Sequence, residues 1–267
     1  MRDFITVGRG GSPLILSFPH TGTAIPPELE TRLVSRERAI LDTDWWIDRL
    51  YGPIAKQLDA SIVHTVMSRS VIDVNRDPSG VSLYPGQATT GLVPTETFDG
   101  EPLYRPGEEP DAAEIDVRRE SWFAPYHAAL EAEIARVKSR HGFAVLYDCH
   151  SIRSVIPRLF EGELPVFNLG TNAGASCAPE MQAAVADVCA ASDFPSIVNG
   201  RFKGGWITRH YGRPDERVHA LQMELACRGY MDEDPVAWNE EKAEAMRSVL
   251  TKALTALLVA AKTKEQS

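Results

Sequence analysis

Two histidines, His20 and His150, each follow a short apolar run. Leu14-Ile15-Leu16-Ser17-Phe18 leads into Pro19-His20-Thr21-Gly22, and residues 143–147 lead into Asp148-Cys149-His150-Ser151. Such runs read as buried strands, and the C-terminal edge of a mostly parallel sheet is where open α/β folds gather their ligands. A lone histidine is usually a core or surface residue. Two at equivalent strand ends are half of a metal site, and the chemistry they suggest is metal-dependent hydrolysis. Asp148 shares strand parity with His150 and can fix its tautomer, a common arrangement at metal sites. Cys149 faces the other way, which weakens a cysteine-protease reading. There is no G-x-S-x-G elbow either: residues 174–178 lack the second glycine.

A third ligand should be a carboxylate or another histidine. Asp44 falls in register with an apolar stripe of Ile40, Ile47 and Tyr51 on a helix predicted over residues 36–58. A carboxylate on a buried helix face is costly unless paired or metal-bound. A salt bridge or helix cap would also explain it. Asp42 lies on roughly the opposite face, whereas Asp48 is only about 40° around and remains a contender. Arg69 and Arg76 flank a predicted short strand over residues 70–74, and an arginine fork grips a carboxylate as lysine cannot; two surface arginines are the plain alternative. Glu224 is a single acid within an apolar strand, suited by burial to act as a general base. An ion pair with Arg209 or Arg228 is its alternative role.

The elements that must position these groups follow an α/β pattern. Beyond the first strand and helix, strands are expected over residues 60–67, 143–147, 164–169 and 220–225. Helices are expected over 121–140, where Gly142 sits at the C-cap position, over 179–191, and from about residue 235 towards 262. Residues 77 to about 110 show no period and are rich in Gly, Pro and Thr. An unstructured stretch this long inside a domain is usually a functional loop or lid, and Tyr84, Leu92, Val93, Phe98, Leu103 and Tyr104 give it side chains with which to pack. No repeat or composition break divides the 267 residues, so one α/β domain is expected.

Composition narrows the function. The net charge of -9 and pI near 5.3 argue against nucleic acid and anionic membrane surfaces as partners. An acidic substrate would need a local cluster of arginines. Four scattered cysteines form no C-x-x-C pair, which suggests reduced thiols in a cytoplasmic protein. The N-terminal residues carry no signal-peptide pattern, and the apolar run over residues 253–261 is too short to span a bilayer.

In order along the chain, several blocks together resemble the N-formylglutamate amidohydrolase (N-formylglutamate deformylase) family. They are Ser17-Phe18-Pro19-His20-Thr21-Gly22, Asp42-Thr43-Asp44-Trp45-Trp46, residues 68–78 with Asn75-Arg76, Asp148-Cys149-His150-Ser151-Ile152, residues 157–162, 168–171 and 202–208, and Gln222-Met223-Glu224. The resemblance covers about residues 14 to 230. It implies a three-layer αβα fold with a mostly parallel or mixed central sheet, like that of zinc carboxypeptidase-like amidohydrolases. It further implies hydrolysis of N-formyl-L-glutamate to L-glutamate and formate, the last step of one histidine degradation route. In related enzymes an Asn-Arg pair binds a substrate carboxylate and a strand-borne glutamate is the base; Asn75-Arg76 and Glu224 match these. The His-x-x-Glu motif usual in carboxypeptidase-like sites is absent, since Thr23 follows His20 by three.

The combined expectation is one divalent ion, zinc first, held by His20, Asp44 and His150. Glu224 would be the base and Arg69 the stabiliser of the oxyanion. Asn75 and Arg76 would take one substrate carboxylate, and Arg153, Arg158 or Arg209 the other. Manganese, iron or cobalt would suit the same ligands. Rival readings are a related metallo-amidohydrolase acting on another N-acyl amino acid or a short peptide, against which a tight acyl pocket lined by residues such as Trp206 would favour deformylation, or a non-catalytic metabolite-binding protein on the same scaffold. The sequence is silent on oligomeric state.

Overall fold

The computed structural model describes residues 4–83 and 86–266; Tyr84 lies outside them. A seven-stranded sheet runs through the molecule, built from β1 (Ile5–Gly8), β2 (Leu14–Phe18), β3 (Ser61–Thr65), β4 (Ala144–Ile152), β5 (Phe167–Gly170), β6 (Ser196–Val198) and β7 (Val218–Ala226). Its order is β1-β3-β2-β4-β7-β5-β6. The central strands β3, β2, β4 and β7 are mutually parallel, while β1 joins β3, and β5 joins β7, antiparallel. The sheet is therefore mixed and mostly parallel at its centre.

Helices cover both faces. On one side α3 (Ile47–Gln57), α6 (Pro179–Ala190) and α8 (Glu240–Gln266) pack against Leu14, Leu16, Phe18, Tyr147, Cys149, Leu221 and Met223. On the other, α5 (Ala124–His141) and α7 (Trp206–Tyr211) cover Ile15, Leu146 and Ala220. Strand alternation thus puts odd-numbered residues of β4 and β7 under α3, α6 and α8, and even-numbered ones under α5 and α7. Each fully buried leucine or isoleucine contributes about 1.5–3 kcal/mol, so a register slip in either strand would be heavily penalised. Short helices α1 (Pro27–Glu30), α2 (Arg36–Ala39) and α4 (Ala112–Arg118), a hairpin of β8 (Met231–Glu233) and β9 (Val236–Trp238), and short π and 3-10 turns are also present.

Four expectations need correction. The helix over residues 36–58 is two helices, α2 and α3, separated by residues 40–46 with Trp46 in a left-handed conformation (φ 57°). The stripe persisted through the break because Ile40 and Ile47 both pack inward. Residues 70–74 are not a strand; after isolated bridges at Met67 and Ser68 the chain turns, with Val71 N–H donating to Ser68 O at 2.9 Å. The last helix begins at Glu240, because β8 and β9 occupy the residues before it. And β4 continues five residues beyond 147, since β7 extends with it and pairs His150 with Glu224.

Gly142 ends α5 with φ 82°, its N–H donating to Lys138 O. The long segment after Asp77 has little regular structure but is well packed: Leu92, Val93, Phe98, Leu103 and Tyr104 are buried, and Asp73 N–H donates to Leu92 O at 2.7 Å.

Candidate metal centre and cleft

The last β2–β4 pair is Ser17 with Asp148, whereas β4 and β7 remain paired to Ile152 and Ala226. Beyond Ser17 the sheet therefore opens beside β4, and His20 stands in that gap two residues past β2. Asp44, in the break between α2 and α3, is tied there by its own N–H donating to His20 O at 3.0 Å. Its Oδ2 accepts from Ser151 N–H at 3.1 Å and lies 3.0 Å from His150 Nδ1 and 3.7 Å from His20 Nδ1. His20, Asp44 and His150 offer three buried donor atoms within 4.8 Å of one another, and the two imidazole rings are 4.8 Å apart at their centroids.

Each ring is held from behind. His20 Nε2 is 2.6 Å from Asp73 Oδ1, and His150 Nε2 is 2.8 Å from Asp148 Oδ2. Burial alone would raise the Asp73 carboxyl, but Arg76, His20 and Arg69 outweigh it and hold the group well below the usual carboxylate range. Facing a carboxylate, His20 Nε2 must donate, which leaves the Nδ1 lone pair for the gap. That Nδ1 is buried, with no hydrogen-bond partner among the described residues. At His150 a lone pair on Nδ1 would face the Asp44 oxygen, acceptor against acceptor, so a cation or proton belongs between them. The electrostatics agree. Although burial disfavours charge on His150, Asp148 and Asp44 push its pKa well above the ordinary value. Burial likewise pushes Asp44 up, but the neighbouring His150 and His20 imidazoles bring it well below its usual range. Two nitrogens oriented by carboxylates, together with one carboxylate oxygen, fit a divalent ion.

Glu224 is the neighbour of His150 across β4 and β7, on the same face. Burial pushes its carboxyl up to about 7, with His150 opposing the shift and Asp44 adding to it. Gln222 Nε2 donates to Glu224 Oε2 at 3.0 Å, and Gln222 Oε1 accepts from Gly205 N–H. A cleft opens over this group, bordered also by Arg69, Arg76, Thr90, Phe98, Arg201 and Phe202.

The structure sorts the sequence-derived residues. His20, His150, Glu224, Arg69, Asn75 and Arg76 all line the cleft, and Asp44 lies among them through its contacts with the histidines. Asp48 is exposed on α3. Asp42 instead accepts from Phe98 N–H and Arg153. Arg69 donates to Asp44 and Asp73 while its guanidinium lies 4.8 Å over the Phe98 ring. Arg153, Arg158 and Arg209 are not brought to the cleft. Arg153 pairs with Asp42 and Asp99, Arg158 with Glu96, and Arg209 donates to Gly204 O and Leu83 O. Trp206 stacks on His210 instead of lining the cleft.

Sequence reasoning missed Asp73 and Arg201. Asp73 carried a legible signal, a lone acid in Val71-Ile72-Asp73-Val74, the same pattern that drew attention to Glu224. Arg201 carried none. It sits in an irregular segment after β6, donating to Leu159 O and Ala88 O. Arg76 and Arg201 bring two cations to the cleft wall, an arrangement suited to a substrate with more than one carboxylate.

The model of the N-formylglutamate amidohydrolase family matches residues 12–231. A curated N-formylglutamate deformylase from Pseudomonas aeruginosa is 49% identical over 261 residues, 97% of each chain. Another, from Pseudomonas putida, is 45% identical over 260 residues, again 97% of each. Among solved structures, N-formylglutamate amidohydrolase from Ralstonia eutropha superposes with a TM-score of 0.80 at 24% identity, covering 98% of this chain and 99% of that one. A gene product of Agrobacterium tumefaciens gives 0.73 at 17% identity, covering 98% and 96%.

Proposed function

The chain belongs to the N-formylglutamate amidohydrolase family and is a hydrolase acting on an amide bond, and from that premise we propose that it cleaves N-formyl-L-glutamate to L-glutamate and formate. The reading is supported above all by the pairing of Glu224 with His150 across the sheet, which sets a carboxyl of pKa about 7 beside the His20–Asp44–His150 donor set. We read the site as part of a single zinc carboxypeptidase-like domain acting in cytoplasmic histidine degradation.

In this mechanism His20 Nδ1, His150 Nδ1 and Asp44 Oδ2 would hold one divalent ion, zinc first. When bound, such an ion supplies Lewis acidity that polarises a carbonyl and acidifies water at neutral pH. Glu224, with Oε2 held by Gln222, accepts a water proton on Oε1 as the water oxygen attacks the formyl carbon. The same proton passes to the glutamate nitrogen as the C–N bond breaks, giving formic acid and the amine, which takes up the acid's proton to leave formate and the ammonium form. Arg69 stabilises the charge that develops on the formyl oxygen. Arg76 and Arg201 bind the two carboxylates, and their local density offsets the acidity of the whole chain.

The test is formate release from N-formyl-L-glutamate by the purified protein, before and after chelation and on return of zinc. Turnover that vanishes with chelator and returns with zinc is expected. Formate release untouched by complete metal removal would reject the role of the donor set, and no formate under any condition would reject the substrate.

A further inference from the structure

A second cavity lies next to the catalytic cleft and shares part of its wall. Phe98 and Ile152 line both spaces. The second cavity, about 220 Å³, is lined by the apolar Ile40, Leu41, Trp45, Met231 and Val236, with Glu37, Asp42, Arg153 and Glu233 also bordering it. An engineered apolar cavity of about 150 Å³ is enough to take benzene. Neither the two histidines, Asp44 nor Glu224 lines it, and Thr43 Oγ1 is buried at its edge without a hydrogen-bond partner. The chamber therefore has room that the hydrolytic groups do not use.

Phe98 is held in place from two sides. Its N–H donates to Asp42 Oδ2 at 2.7 Å, and the Arg69 guanidinium lies 4.8 Å over its ring while bonding Asp44 and Asp73. The proposed function orients the substrate relative to this wall. The Arg69 guanidinium that would take the carbonyl oxygen lies 4.8 Å over the Phe98 ring, so this wall stands beside the carbonyl carbon and its substituent.

We infer that Phe98 is the specificity-determining residue for the acyl group: its ring closes the acyl end of the cleft to anything much larger than formyl, and the apolar chamber behind it would accept a longer acyl chain or a phenyl ring if the ring were removed. This rests on the substrate reading above.

The experiment compares kcat/KM of the wild-type and Phe98→Ala enzymes, both metal-loaded, on N-formyl-, N-acetyl-, N-butyryl- and N-benzoyl-L-glutamate. The wild type should fall steadily along the series. Phe98→Ala should gain on the order of tenfold or more for butyryl and benzoyl, the scale on which pocket methylenes discriminate, while formyl turnover falls because Arg69 loses its stacking partner. Parallel loss on all four substrates by a folded, metal-loaded variant would overturn the inference. Leu41→Trp, which fills the chamber, should leave formyl turnover of the wild type unchanged and cancel the gain in Phe98→Ala; a gain that survives it places the longer acyl group elsewhere and overturns the chamber. Should Phe98→Ala not fold, Phe98→Leu should still raise acetyl and butyryl turnover. A wild type that hydrolyses none of the four sinks the substrate reading instead. The wall is then judged by calorimetry with N-benzoyl-L-glutamate, which Phe98→Ala should bind at least tenfold more tightly; equal binding would overturn it.

Discussion

At the scale of single residues, the site is organised by which group holds which proton. Asp73 and Asp148 take the outer N–H of the two imidazoles, so both inner nitrogens keep lone pairs on the Asp44 side, where a cation would lie. Among the described residues Glu224 has no such cationic partner within hydrogen-bonding distance, and burial pushes it up to about 7. The sign follows directly. Below that value the carboxyl is neutral and cannot accept a proton; above it the base form accumulates. A cation held beside His150 favours the charged form and moves the transition lower. The kcat/KM of the loaded enzyme should therefore rise with pH along a limb centred at or below about 7, and Glu224→Gln should cut kcat by about a hundredfold or more while keeping its metal. A limb centred above pH 8, or a Glu224→Gln variant of near-normal kcat, would remove Glu224 as the base. The same shift sets a stability trend: relative to acid, this carboxyl costs the fold stability as pH rises from the ordinary carboxyl value near 4.5 through about 7. Much of this residue logic was legible beforehand, because a lone acid in an apolar run, or a histidine at a strand end, is costly without a purpose. Arg201 was not, since an arginine in an irregular segment looks the same whether it meets solvent or a cleft.

At the scale of elements, Asn75 joins α7 to the metal centre. Its Oδ1 accepts from Ile207 N–H at 2.8 Å, in the first turn of α7, and its Nδ2 donates to Asp148 Oδ2 at 3.1 Å. The amide is thus committed within the protein. Gly205, at the N-cap of α7, lies so close that a Cβ there would meet Asn75 Nδ2 at 2.4 Å and Oδ1 at 2.5 Å. Gly205→Ala should therefore displace the Asn75 amide, loosening Asp148 and hence His150. We expect a folded variant with metal affinity lowered about ten- to a hundredfold, as for other disruptions of the groups that orient metal ligands. Metal affinity and turnover both at wild-type levels would show that the contact is slack. Sequence periodicity identified the long elements β2, β4, β7, α5 and α6 because their apolar faces are continuous. It joined α2 to α3 across the break that delivers Asp44, since side chains packed inward from a loop keep the spacing of a helix. Asp44 reached the site as expected, but by the backbone bond to His20 O and not by helical register.

At the scale of the whole molecule, the centre places a concentration of negative charge at the middle of an acidic protein. Asp44, Asp73 and Asp148 are all buried, with Glu224 beside them, and Arg69 is the buried cation that touches Asp44 and Asp73. A divalent ion would balance this charge in the folded chain only, because His20, Asp44 and His150 come together only when β2, the segment before α3, and β4 are assembled. Binding to the native state alone stabilises by mass action, about 2.7 kcal/mol at a free metal concentration a hundred times Kd. For a chain of this size that corresponds to a rise in Tm of roughly 5–10 °C. Chelation should accordingly lower Tm by several degrees, and zinc should restore it along with formate release. His150→Ala should show no Tm response to zinc, because one of the three donors is gone. If chelation abolished turnover yet left Tm unchanged, the ion required for activity would be bound at a site that folding does not assemble, and the buried donor set could not be its home.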